Sequence, residues 1–201
     1  HLTARSPQSQ KKAEEKIHNL TRAIMQRLES NVFSQDGAEL EEVVGYLLRK
    51  RKMVLAVAES CTGGLLAHRI TNIPGSSDYF LLGVIAYSNE AKTRLLGVSA
   101  AIIEKFGAVS HQVALAMARG VRKRAASDLG VGITGIAGPS GGTPKKPVGL
   151  VYVALAWNKG WEVSKNIFLG KRDAIKFQSS QKALDMIRKH LLKPSPHEEK
   201  K

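Results

Sequence analysis

The chain has 201 residues, 43% of them hydrophobic, and carries a formal net charge of +14 from 31 Lys and Arg against 17 Asp and Glu. That is enough apolar material for a buried core, while no apolar run approaches the ~20 residues of a membrane-spanning helix. A single cysteine excludes an internal disulfide, and six scattered histidines without a second cysteine give no zinc-ligand spacing, so a zinc site is not expected; no cofactor is expected either. One cysteine fits a reducing compartment, and His1-Leu2-Thr3 lacks the charged and apolar regions of a signal peptide; the expectation is a cytoplasmic protein with no membrane partner. The positive excess sits mainly in residues 53–192, which hold 18 basic and 8 acidic side chains. Such a field suits nucleotides, phosphates or nucleic acid, and equally serves solubility.

Residues 1–9 are polar. From Lys11 to Leu28 apolar residues fall at Ala13, Ile17, Leu20, Ile24 and Leu28, the spacing of one helix with one sticky face. That face needs a partner surface, which makes a homodimer the expectation. After a break at Ser30–Gly37, a second helix buries Leu40, Val43, Val44, Leu47 and Leu48 and ends in Arg49-Lys50-Arg51-Lys52. Basic residues at a helix C-terminus suit its dipole and require no nucleic acid. Met53 to Ala58 reads as a buried strand, Thr62 to Ile70 as a helix, Leu81 to Tyr87 as a second strand and Asn89 to Leu96 as a short helix. Helices follow at Ala100–Phe106 and His111–Ala126, the latter with Ser110 at its N-cap position. Val131–Thr134 is a third strand; Val148–Trp157 and Trp161–Phe168 form a hairpin about Asn158-Lys159-Gly160, and Asp173–Leu192 is a closing helix. Strands interspersed with helices imply an α/β fold: a three-layer α/β/α sandwich with a mostly parallel mixed sheet, plus an N-terminal helical extension. The domain reading is a tail and amphipathic helix at 1–36, a main domain at 37–192 and a polar tail at 193–201.

Three loops, each after a strand, carry the chemistry. In Glu59-Ser60-Cys61-Thr62-Gly63-Gly64 the glycines permit close approach of a ligand, and the N–H groups opening the next helix form an anion or oxyanion site. Ser60 reads either as an outward-facing nucleophile or as a helix cap, and Cys61 as a rival nucleophile or a small buried residue. In Tyr87-Ser88-Asn89-Glu90-Ala91-Lys92, Lys92 lies one turn into a helix; buried, it would lose its proton and act as a base, and at the surface it would be an ordinary ion-pair partner. No S-x-x-K motif exists, so a serine–lysine pair would have to form through space. The loop from Thr134 and Gly135 to Gly142, followed by Lys145-Lys146, is dense enough in glycine to cradle a phosphate or sugar but is not a Walker loop.

Taken together, AESCTGGLLAHRIT, IPGSSDYF, AYSNEAK, GAVSHQVALAMA, TGIAGPSGG with KPVGLVYVALA, and F-x-G-x-R resemble the CinA C-terminal domain family, in the same order and at similar separations over roughly Leu40 to Leu192. The resemblance implies nicotinamide mononucleotide deamidase activity without a metal: the carboxamide is hydrolysed to the acid and ammonia leaves. Carried over residue by residue, Ser60 matches the nucleophilic serine, Lys92 its partner lysine and Tyr87 the tyrosine beside that lysine. Thr134 matches the site threonine that heads the loop. Arg172 matches an arginine placed to meet the substrate phosphate. Where the family often reads G-D-R followed by V-R, this chain has Gly170-Lys171-Arg172 and then Ile175-Lys176, so a point charge replaces a bidentate fork.

The expected mechanism is acyl transfer, with neutral Lys92 as base, Ser60 as nucleophile, Cys61–Gly64 amides as the oxyanion site, and Thr62, Gly63, Gly64, Thr134, Gly135, Arg172 and Lys176 binding a small nucleotide. The competing readings are a non-catalytic basic module associated with nucleotides or DNA, and a related amidase with another substrate. With 5% aromatic residues and no recognisable DNA- or RNA-binding motif, a nucleic-acid partner is not expected.

Overall fold

The computed structural model describes residues 3 and 9–194; the remaining residues, including most of the polar tail, lie outside the described residues. The chain divides into two units, His1–Ala38 and Glu39–Lys201. The first holds helix α1, Gln10–Leu28, started by Ser9, whose hydroxyl accepts from the Lys12 N–H at 3.3 Å. None of the α1 side chains is buried, and Leu20 and Leu28 are about half exposed.

The second unit is built on five strands: β1 (Leu55–Glu59), β2 (Phe80–Ile85), β3 (Leu129–Gly135), β4 (Leu150–Trp157) and β5 (Gly160–Ile167), in the order β2-β1-β3-β4-β5. β1 is parallel to β2 and β3, β3 pairs antiparallel with β4, and the β4–β5 hairpin returns the chain to the first direction. Every strand but β4 therefore points the same way. Helices α2 (Leu40–Arg51), α3 (Leu65–Thr71) and α7 (Arg172–Leu192) cover one face; α4 (Asn89–Leu96), α5 (Ala100–Phe106) and α6 (His111–Ala125) cover the other. This is the three-layer α/β/α sandwich expected from the sequence.

The period-two alternation of β1 explains the layering. Leu55 and Val57 join the core under α2, α3 and α7, and Ala56 and Ala58 face α6. The α6 side of the sheet is made of small residues: Ala154 and Ala156 on β4 meet Ala114 and Ala118 of the helix. At Gly132 in β3, a Cβ would strike the Ala114 carbonyl and lie 2.6 Å from the Ala118 nitrogen. The helix backbone rests almost directly on the strand. Gly132→Ala is expected to cost about 2 kcal/mol by overpacking and to lower Tm by roughly 6 °C, readable by thermal unfolding followed by circular dichroism.

The boundary that matters most for the site is the start of α3. The sequence pattern placed it at Thr62, but the helix opens at Leu65, because Gly63 and Gly64 hold φ of 61° and 94°. Residues with a Cβ enter that region only at a cost. Residues 60–64 thus form a turn rather than a first helical turn.

Candidate functional site

Ser60 follows β1, Ala86 and Tyr87 follow β2, and Ile136–Gly138 follow β3. All three lie at the carboxyl ends of parallel strands, where β1 sends the chain outward to β2 on one side and has β3 on the other. Such switch points open a crevice in α/β sheets. The crevice here has a volume of about 330 Å³ and is bordered by Ser60, Tyr87, Lys92, Thr134, Gly138 and Arg172, among others.

At its floor Lys92 is 2% exposed, and its Nζ lies 3.2 Å from Ser60 Oγ, 3.0 Å from the Ala86 carbonyl and 3.3 Å from the Tyr87 carbonyl. The placement is dictated locally. Ser88 caps α4 by accepting from the Ala91 N–H, which puts Lys92 on the first turn, and the strand-end carbonyls of β2 curl beneath it. Among the described residues no carboxylate is a hydrogen-bond partner of Lys92. Burial therefore pushes its pKa below the ordinary lysine value, against a small opposing effect from Cys61. The amine has three acceptors around it, the two carbonyls and Ser60 Oγ; once neutral, it can keep its N–H groups on the carbonyls and turn its lone pair to the serine hydroxyl.

Cys61 is buried, and burial drives its thiol up to about 12, with the Glu59 charge adding to the rise. A thiol so protonated is a poor nucleophile. If the site is catalytic, Cys61→Ala is expected to keep turnover within about threefold of the unsubstituted chain, and a thiol-alkylating reagent is expected to leave the unsubstituted chain's turnover unchanged; ammonia release in each case checks it.

Tyr87 turns its ring outward, 62% exposed, and its hydroxyl accepts from Arg172 Nη2 at 3.0 Å, while Arg172 Nη1 donates to the Gly138 carbonyl at 2.8 Å. Tyr87 thus supports Lys92 through its carbonyl and Arg172 through its phenol. Thr134 is buried and donates from Oγ1 to the Ala108 carbonyl at 2.8 Å, tying the end of β3 to the wall of the crevice. Gly135 lines the same wall.

The structure brings Ser60, Lys92, Tyr87, Thr134, Gly135 and Arg172 to one crevice and leaves Thr62, Gly63, Gly64 and Lys176 outside its lining. Lys176 borders an adjoining depression with Lys171 and Arg172, its Nζ close to Gly63. The expected oxyanion donors also need correction. The Gly63 amide donates to the Ser60 carbonyl at 3.1 Å, and the Gly64 amide donates to the Glu59 carboxylate at 3.1 Å. Among the described residues the amides of Cys61 and Thr62 are the two in this turn that donate to no backbone carbonyl and to no side chain of another residue. Glu59 itself was missed by sequence reasoning, although a carboxylate ending an otherwise apolar strand is a visible signal. Among the described residues no cluster of three or more His, Cys, Asp or Glu side chains could hold a metal. No described helix is long and apolar enough to cross a membrane.

Fold and site define a three-layer α/β protein with a buried serine–lysine pair at its switch point. The family model for the CinA C-terminal domain matches residues 37–191, and the chain belongs to that family. It is 50% identical over 192 residues to the CinA-like protein of Koribacter versatilis, covering 96% of this chain and 46% of that protein. It is 51% identical over 176 residues to the CinA-like protein of Geotalea uraniireducens, covering 86% and 42%. The chain thus spans less than half the length of the curated relatives it matches. The crystal structure of competence/damage inducible protein CihA from Agrobacterium tumefaciens superposes with a TM-score of 0.75 at 37% identity, over 81% of this chain and 99% of that one. A CinA superfamily protein from Escherichia coli superposes with a TM-score of 0.71 at 29% identity, over 80% of this chain and 97% of that one.

Proposed function

We propose that this chain is a metal-independent amidohydrolase that converts nicotinamide mononucleotide to nicotinate mononucleotide and ammonia. The observation that carries the reading is the buried Lys92 amine 3.2 Å from Ser60 Oγ, with carbonyls rather than carboxylates as its other partners. The choice of substrate rests on the family resemblance and on Arg172 at the crevice, with Lys171 and Lys176 in the adjoining depression.

In this mechanism neutral Lys92 takes the proton of the Ser60 hydroxyl as Oγ bonds to the carboxamide carbon. The carbonyl electron pair moves to oxygen, which the Cys61 and Thr62 amides receive. Collapse breaks the C–N bond, and the Lys92 ammonium gives its proton to the leaving nitrogen, releasing ammonia. Water then attacks the ester while Lys92 accepts its proton, and that proton returns to Ser60 Oγ as the acid departs. Arg172, held by Tyr87 and Gly138, meets the phosphate with the remaining donors of its fork.

Ammonia release on incubation with nicotinamide mononucleotide tests the reading, with Ser60→Ala as the control. Turnover that vanishes in the variant supports it. No turnover of this substrate, with ammonia released from a different amide, moves the substrate. DNA retention that falls steeply with salt, with no turnover of any amide, favours the binding module.

A further inference from the structure

The carboxylate of Glu59 is the least expected group near the crevice. It is 1% exposed at the end of β1, and its hydrogen-bond partners are backbone amides rather than a cation. Oε2 accepts from the N–H groups of Gly64 and Leu66, each at 3.1 Å, and Oε1 accepts from Ala67 at 2.8 Å. These are the orphan donors at the opening of α3, with the positive end of the helix dipole behind them. Meanwhile the Glu59 main chain is fixed in the sheet: its carbonyl accepts from Ala86 N–H at 2.8 Å, and the next amide, Ser60, donates to the Ile133 carbonyl at 3.0 Å.

The turn from Ser60 to Gly64 is therefore pinned at both ends by one residue. Its main chain holds the β1 side and its side chain holds the α3 side. The glycine-rich turn would otherwise be loose, since Gly63 and Gly64 have wide conformational freedom. The carboxylate also occupies the amides that would otherwise attract an outside anion. What it leaves in the turn is the Ser60 hydroxyl beside Lys92 and two amides, those of Cys61 and Thr62, that the carboxylate does not take up.

We propose that Glu59 is a positioning residue: its buried carboxylate serves as an internal anion that closes the α3 N-terminus and fixes the Ser60–Thr62 segment, setting the aim of the nucleophile and of the two oxyanion donors. It acts on the geometry of that segment and not on the ionisation of Lys92. This builds on the acyl-transfer reading above but does not depend on which amide is the substrate.

The test uses the full chain and a small fluorophosphonate, whose phosphorus is attacked by Ser60 Oγ with loss of fluoride, so that labelling is followed by mass. Labelling rates are measured across pH for the unsubstituted chain, Glu59→Gln and Glu59→Asp, each checked for an intact fold by thermal unfolding. The expected result for Glu59→Gln is a plateau rate roughly 100-fold lower, comparable to loss of an oxyanion donor, with the ascending limb set by Lys92 unmoved. Should that variant unfold, Glu59→Asp, one methylene shorter, is expected to fold and to show a smaller drop of the same kind. A folded Glu59→Gln or Glu59→Asp with an unchanged plateau overturns the proposal. So does a shifted limb, which would mean that Glu59 works through the lysine charge. So does absence of Ser60 labelling in the unsubstituted chain. Labelling that behaves as expected in a protein that leaves nicotinamide mononucleotide intact keeps the role of Glu59 and removes only the substrate.

Discussion

Lys92→Met is expected to lower turnover about 1,000-fold or more while raising the melting temperature. The first effect follows from losing the amine that sits 3.2 Å from Ser60 Oγ and is proposed as its base. The second follows from burial. The folded state holds Lys92 with a depressed pKa, so the unfolded chain binds the extra proton more readily. Sheltering this amine thus destabilises the fold most fully below its folded-state pKa. The penalty fades as pH rises from there toward the ordinary lysine value. Methionine fills the same space without that penalty but leaves the Ala86 and Tyr87 carbonyls without their donor. The expected net gain near neutral pH is therefore small, under about 1 kcal/mol, shrinking toward alkaline pH. In the proposed reaction the same displaced ionisation shapes the pH profile: ammonia release is expected to rise with pH through the folded-state pKa of Lys92, below where a surface lysine would titrate. Lys92→Arg retains charge at every pH and is expected to be inactive throughout. Unchanged ammonia release in Lys92→Met, or a melting temperature well below that of the unsubstituted chain, would sink this account.

Arg69→Ala is expected to destabilise the fold by about 3 kcal/mol without entering the chemistry. Arg69 is buried on α3. Its Nε donates to Glu41 Oε1 at 3.0 Å and its Nη2 to Glu41 Oε2 at 2.6 Å, a bidentate pair with α2. Further bonds run to Ser180 Oγ at 2.9 Å and Gln181 Oε1 at 2.8 Å on α7, and the guanidinium stacks 4.8 Å over the Phe177 ring. One side chain thus joins the three helices of that layer. Breaking a buried pair by removing one partner costs about 3–5 kcal/mol, and the lower figure applies because Glu41 keeps some access to water. Burial alone would raise the Glu41 carboxyl, but the bonds and charge of Arg69 overcome it, and its pKa falls below the ordinary value. The contribution of that shift is present above the unfolded carboxylate pKa and is lost as pH drops through the folded one. Denaturant midpoints near pH 7 and near pH 3 check both points: Arg69→Ala loses most at neutral pH and converges with the unsubstituted chain in acid.

The elements were legible in the sequence because their apolar spacing is regular. Val113, Met117 and Val121 mark the inner face of α6, and the short apolar run into Ala58 marks β1. The helix boundary at Leu65 was not legible, since glycine at positive φ looks the same in a sequence as glycine inside a helix. For Lys92 the pattern left two fates open, and only the cage of Ala86 and Tyr87 carbonyls decides between them. Arg69 gave no signal at all, because its partners lie 28 and 111 positions away or more in the chain. Glu59 sat within the quoted motif, yet its role depends on where three later amides fold back.

The crevice is assembled from pieces far apart along the chain: the Ser60–Lys92 pair spans 32 positions, and the Tyr87–Arg172 bond spans 85. A ribosome-bound chain that has not yet made β3 has neither the Ile133 carbonyl that seats Ser60 nor the Thr134 wall. Local helices form far sooner than contacts of such separation. If the proposed hydrolysis holds, it reports completion of folding. During refolding from denaturant, ammonia release returns only after the helical signal has recovered, and nascent fragments truncated before Gly138 have no activity to release early.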